Sequence, residues 1–101
     1  MAPEIVDRPQ VLIVDDEKEI TDLLSDALGA NYDCVTASTA EEALDRMKEC
    51  DFQLVITDIT MPGMSGLEMI PHVKSISPNG VIVMISGMQT VESAIDALRL
   101  G

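Results

Sequence analysis

Short apolar runs alternate along the chain with stretches whose apolar residues recur every three to four positions. Val11 to Asp15 reads as a buried strand, after which Ile20, Leu23, Leu24, Ala27 and Leu28 form the stripe of an amphipathic helix with Gly29 as its C-cap. Asp33 to Ala37 forms a second strand. Ser38 or Thr39, each with a Glu three residues on, then opens a second helix with the stripe Ala40, Ala43, Leu44 and Met47. A third strand, about Gln53 to Thr57, leads through Met61-Pro62-Gly63-Met64 to Ser65, which caps a third helix with Glu68 at the capping-box position. Pro71 falls inside that helix and is expected to kink or shorten it. Val81 to Ile85 is a fourth strand, and Thr90 caps a last helix with stripe Val91, Ala94, Ile95 and Leu98.

Strict alternation of strand and helix predicts an α/β fold built on a parallel sheet. Acids fall where strands break into loops: Asp15 and Asp16 end the first strand, and Asp58 ends the third. In open parallel sheets, ligands bind outside the carboxyl ends of the strands, where the strand order reverses. If the three acids share one site, strands one and three are neighbours and strand two lies outside. Right-handed crossovers then give the order 2-1-3-4, with helix one on one face and helices two, three and four on the other. Strand four becomes an apolar edge, and the face carrying helix one is thinly covered. Both features predict self-association through the exposed strand-four edge.

Length and charge narrow the function. The 101 residues make one domain, with residues 1–10 as a leader and 11–101 as the folded unit, and the 47% hydrophobic content suffices for a core. Eighteen acids against six Lys and Arg give a net charge of −12, which repels nucleic-acid phosphates, so this segment is not expected to bind DNA. Apolar runs are strand-sized, which excludes a membrane span. Cys34 and Cys50 lack metal-ligand spacing and read as reduced thiols of a cytoplasmic protein. His72 stands alone on helix three, the acids of helix two read as a solvated face, and Met61, Met64, Met69, Met84 and Met88 read as gap-fillers.

Three clustered carboxylates disfavour full ionisation without a cation. Two such charges about 6 Å apart repel by roughly 3 kcal/mol at an effective dielectric of 20. Hard oxygen donors of this kind suit Mg2+. A carboxylate held beside a divalent ion can accept a phosphoryl group if nearby hydroxyls or amides bind the transferred oxygens, and Ser86, beside Gly87 at the end of strand four, is the best placed hydroxyl.

Val14-Asp15-Asp16-Glu17, the run from Thr57-Asp58 through Met61-Pro62-Gly63-Met64-Ser65-Gly66, Ile85-Ser86-Gly87 and the closing Ala97-Leu98-Arg99-Leu100-Gly101 together resemble the receiver domain of two-component response regulators. The resemblance implies a flavodoxin-like doubly wound sheet and a signalling switch that is not itself an enzyme. It implies Asp58 as the phosphoacceptor, loaded by a histidine kinase or phosphotransfer protein in a Mg2+-dependent step. Asp16 would be a direct metal ligand, Asp15 would act mainly through water, and Asp58 and the Thr60 carbonyl would complete the set. Ser86 would be the hydroxyl switch, and the Thr60 and Met88 side chains would modulate phosphoryl lifetime. Receivers continue past the position matching Gly101 into a fifth strand, a Lys-Pro dipeptide and a fifth helix, so the resemblance also implies a domain that stops short of its fifth βα unit and lacks that Lys. Two alternative functions differ in chemistry: an interaction module that no longer takes up phosphoryl, and an aspartyl-nucleophile phosphatase of the dehalogenase type. The second wants another acid two residues after the nucleophile, where this chain has Thr60.

Overall fold

The structure, a computed structural model, describes residues 8–86 and Ile95. Four five-residue strands and three helices follow in strict alternation: β1 (Gln10–Val14), α1 (Lys18–Leu28), β2 (Asp33–Ala37), α2 (Ala40–Glu49), β3 (Leu54–Asp58), α3 (Gly66–Ile76) and β4 (Val81–Ile85). All pairings are parallel and the strand order is β2-β1-β3-β4, as the acid positions predicted.

The sheet is covered on both faces, which is why β1 is apolar from Val11 to Val14. Val11, Leu12, Ile13 and Val14 have no accessible surface. Alternate residues serve the two layers: Leu12, Val14 and Val55 pack with Ala40, Ala43 and Met47 of α2 and Met69 and Val73 of α3, whereas Val11, Ile13 and Ile56 pack with Ile20, Leu24 and Leu28 of α1. Ile95, helical and buried, joins the α1-side layer beside Ile85 and the half-buried Val83. The crossover argument placed a fourth helix on the other face. Of that helix only Ile95 is described, and it lies in the α1-side cluster. Met88, the cap Thr90 and, apart from Ile95, the residues of the expected last helix lie outside the described residues.

Local sequence accounts for most element ends. Ser65 and Glu68 form a reciprocal capping box at the start of α3. Thr39 is the cap of α2 and accepts the Glu42 N–H, while the Glu42 carboxylate reaches back to both the N–H and the hydroxyl of Ser38. β1 begins one residue early, because Gln10 belongs to the sheet: its carbonyl accepts the Gln53 N–H at 3.0 Å. The third strand is shifted by one, so that Asp58 is its last member. In α1 the buried set is Ile20, Thr21, Leu24 and Leu28, and Leu23 of the expected stripe is exposed. α3 continues through Pro71 for its full 11 residues. Pro71 and Leu67, four residues before it, lie on the exposed side, so the interruption falls away from the core.

Candidate functional site

Three acids from two chain segments meet at the carboxyl ends of the strands. β1 delivers Asp15 and Asp16, β3 delivers Asp58, and one ligand oxygen from each lies within 4.8 Å of the others. Their environments differ: Asp15 is buried, Asp58 half-buried and Asp16 exposed.

Asp15 is fixed most tightly. Its N–H donates to the Ala37 carbonyl of β2 at 3.1 Å, and its Oδ1 accepts the Glu17 N–H at 2.8 Å, which steadies the turn into α1. Glu17 is the N-cap of that helix and makes no side-chain cap bond, so Asp15 takes part of that work. Its other oxygen, Oδ2, is buried and has no hydrogen-bond partner. Burial, with the nearby charges of Asp58, Asp16 and Glu17, pushes this carboxyl from 3.8 up to about 6, against the lowering effect of the Glu17 N–H. An orphaned buried carboxylate oxygen facing two more acids is an unbalanced arrangement that a hard divalent cation would satisfy, and the all-oxygen donor set fits Mg2+.

Asp58 closes the site from β3. Its Oδ1 lies 3.4 Å from the Thr60 N–H, a long hydrogen bond that draws the exposed Thr60 backbone over the carboxylate. The register pairs Asp58 with Ile85, and the Ile59 N–H donates to the Ile85 carbonyl at 3.1 Å. Ser86, exposed, follows immediately, so its backbone stands at the same end of the sheet as Asp58. The loop after Asp58 turns at Gly63, whose φ of 78° is the one positive value among the described residues and favours glycine.

A cavity of about 250 Å³ opens on the β2 side of the acids, lined by Asp15, Asp16, Lys18, Thr21, Ser38 and Glu42 among others. The sequence pattern assigned Ser38 to capping and Glu42 to capping and a solvated helix face, and did not anticipate Thr21 there. Lys18 borders this cavity, but its Nζ is held 2.7 Å from Asp22 on the solvent side of α1. Lys74 donates to the Gly80 carbonyl. Of the two thiols, Cys34 is half-buried, and burial raises its pKa, which suppresses thiolate chemistry; Cys50 is exposed, and neither is in a disulfide. His72 is exposed on α3. No helix among the described residues is long and apolar enough to cross a membrane.

Comparison with known proteins agrees with this geometry. The family model described as the response regulator receiver domain matches residues 11–101. The chain is similar to the response regulator protein PilR of Pseudomonas aeruginosa, at 34% identity over 95 residues covering 93% of this chain and 21% of that protein. It is also similar to the chemotaxis protein CheY of Thermotoga maritima, at 35% identity over 94 residues covering 91% of this chain and 78% of that one. Among solved structures, the response regulator protein TrrA of Thermotoga maritima, crystallised in complex with Mg2+ and BeF, is similar with a TM-score of 0.77 at 26% identity, covering 91% of this chain and 97% of that one. The chain spans only about a fifth of the length of PilR.

Proposed function

This chain belongs to the response regulator receiver domain family, and from that premise we propose that it is a signalling switch in which Asp58 accepts a phosphoryl group from a histidine kinase or phosphotransfer protein. The observation that carries the reading is the meeting of Asp15, Asp16 and Asp58 within 4.8 Å at the carboxyl ends of β1 and β3. In the reaction a carboxylate oxygen of Asp58 attacks phosphorus, the P–N bond of the donor phosphohistidine breaks, and the imidazole leaves with the electron pair and takes up a proton. Asp15, Asp16, Asp58 and the Thr60 carbonyl are the residues proposed to hold Mg2+. Bound there, the ion would supply the positive charge that lets one anion approach another. Support for Mg2+ comes from the orphaned Asp15 Oδ2 and from the Mg2+ and BeF found with the similar TrrA protein.

Ser86 is proposed as the hydroxyl that senses the phosphoryl group, and the Thr60 and Met88 side chains as modulators of its lifetime. The net charge of −12 supports an absence of direct nucleic-acid binding by this segment, and the shielded Cys34 is compatible with a cytoplasmic setting. Self-association through the β4 edge belongs to the same proposal.

The test is incubation with a small phosphoramidate donor and Mg2+ followed by intact-mass measurement. One phosphoryl increment is expected in the native protein and none in Asp58→Ala. Equal uptake by the two proteins would remove Asp58 from the mechanism, and turnover of simple phosphomonoesters would favour phosphatase chemistry.

A further inference from the structure

Thr57 is a hydroxyl where the surroundings favour hydrocarbon. It follows Leu54, Val55 and Ile56 in β3 and has no accessible surface. A buried hydroxyl that lacks a partner is less favourable than an apolar group of the same shape. Here the hydroxyl has one: Thr57 Oγ1 donates to the main-chain carbonyl of the next residue, Asp58, at 3.1 Å.

Gly66, buried as the first residue of α3, presses on the same carbonyl. A Cβ built there would overlap the Asp58 carbonyl oxygen, reach its carbonyl carbon at 3.0 Å and come within 3.2 Å of Thr57 Oγ1. Only hydrogen fits. The Gly66 N–H donates to the Ile59 carbonyl at 2.9 Å, and the peptide that carries the Asp58 carbonyl is held again through its Ile59 N–H, which donates to the Ile85 carbonyl at 3.1 Å. The backbone torsions of Asp58 fix where its Cβ points, so immobilising this peptide leaves the carboxylate only its own side-chain rotations. Outer partners that orient a ligating or reacting group govern how well it performs.

We propose that Thr57 and Gly66 form a clamp on the Asp58 carbonyl and are positioning residues that aim the Asp58 carboxylate at the site shared with Asp15 and Asp16. This rests on the reading of Asp58 as phosphoacceptor. Neither residue touches the transferred group. Thr57 acts through a hydrogen bond and Gly66 through the absence of a side chain.

Thr57→Val keeps the shape and removes the donor, whereas Thr57→Ser keeps the donor and removes a methyl group. Three quantities are read for each: Mg2+ affinity from backbone amide shifts, the limiting rate of phosphoryl uptake at saturating phosphoramidate, and the urea midpoint of unfolding. For Thr57→Val, Mg2+ affinity and limiting rate should both fall about tenfold with the midpoint held or raised. Thr57→Ser should stay within about twofold of the native protein in both functional readouts while its midpoint falls. Function and stability would then move in opposite directions, which a purely structural hydroxyl would not produce. Gly66→Ala should lower affinity and rate by a larger factor. Native affinity and rate in Thr57→Val would overturn the clamp, and so would a serine variant as impaired as the valine one. If the native protein binds Mg2+ yet takes up no phosphoryl group, the phosphoacceptor reading fails by itself, and the Mg2+ affinities of the valine and serine variants still decide the clamp.

Discussion

Asp58 of β3 stands directly opposite Ile85 of β4, with the Ile59 N–H closing onto the Ile85 carbonyl at 3.1 Å. Events at the Asp58 carboxylate therefore have a short route into β4. Ser86, proposed as the hydroxyl that senses the phosphoryl group, is the next residue along. Replacing Ser86 by Ala should leave beryllofluoride binding intact but shrink the accompanying amide-shift changes in β4. Full native shifts in the alanine variant would assign the coupling to the backbone alone.

The three acids should respond differently to substitution because they differ in exposure. Asp16 is exposed, so Asp16→Ala should weaken Mg2+ binding by about tenfold or more with little change in the unfolding midpoint. An unchanged Mg2+ titration would move the metal site away from this residue.

Asp15 should make the metal-free protein lose stability as pH rises. Its folded pKa of about 6 exceeds the ordinary 3.8, first because of burial, so between those values the folded state binds more protons than the unfolded one. Stability rises with pH only where the unfolded state binds more protons, so this group contributes a decline from about pH 4 to 6. Solvent reaching the exposed Asp16 side screens the effect to on the order of 1–2 kcal/mol. Asp15→Asn removes the titration but keeps the shape, and should gain on the native protein in urea unfolding at pH 7 with chelator present. Parallel pH profiles for the two proteins would place the strain elsewhere.

Ser65 offers a test of local stability near the site. Its hydroxyl accepts the Glu68 N–H, and Glu68 returns a bond to the Ser65 N–H, so Ser65→Ala should cost about 1 kcal/mol. Because α3 begins against the Asp58 carbonyl, the same change should also raise amide-exchange rates around Gly66. A loss of stability with no change in exchange there would separate the cap from the site.

What could be read from residue order was whatever repeats or punctuates: the strand order from acids at two strand ends, and the start of α3 from Ser65 and Glu68. What could not be read depended on contacts between elements distant in the chain. Thr21 is buried and Leu23 exposed because the face that α1 turns to the sheet is rotated toward Thr21 from the arc its apolar residues span. Pro71 leaves α3 continuous because its side of the helix faces solvent. Ile95 packs in the α1-side cluster, a contact that strand order alone does not specify. Thr57 looked like one more member of an apolar run, and only the approach of Gly66 from α3 reveals a shared carbonyl.

The two sheet edges differ enough to predict which one associates. β2 presents Asp33 and Thr36 to solvent, with Arg8 3.9 Å from Asp33, so charge guards that side. β4 is the opposite edge among the described residues: Val81 is 56% exposed, and Ile82, Val83 and Met84 are only partly buried. An apolar strand at the edge of the described sheet favours pairing with a second copy, and a two-fold arrangement would bury both edges together. Sedimentation at micromolar concentration should therefore show a concentration-dependent dimer. Val81→Lys places a charge at an already exposed position, so it should shift the population to monomer without moving the unfolding midpoint. A native protein that stays monomeric across that range would show the β4 edge to be self-sufficient, and a dimer untouched by Val81→Lys would place the contact on another surface.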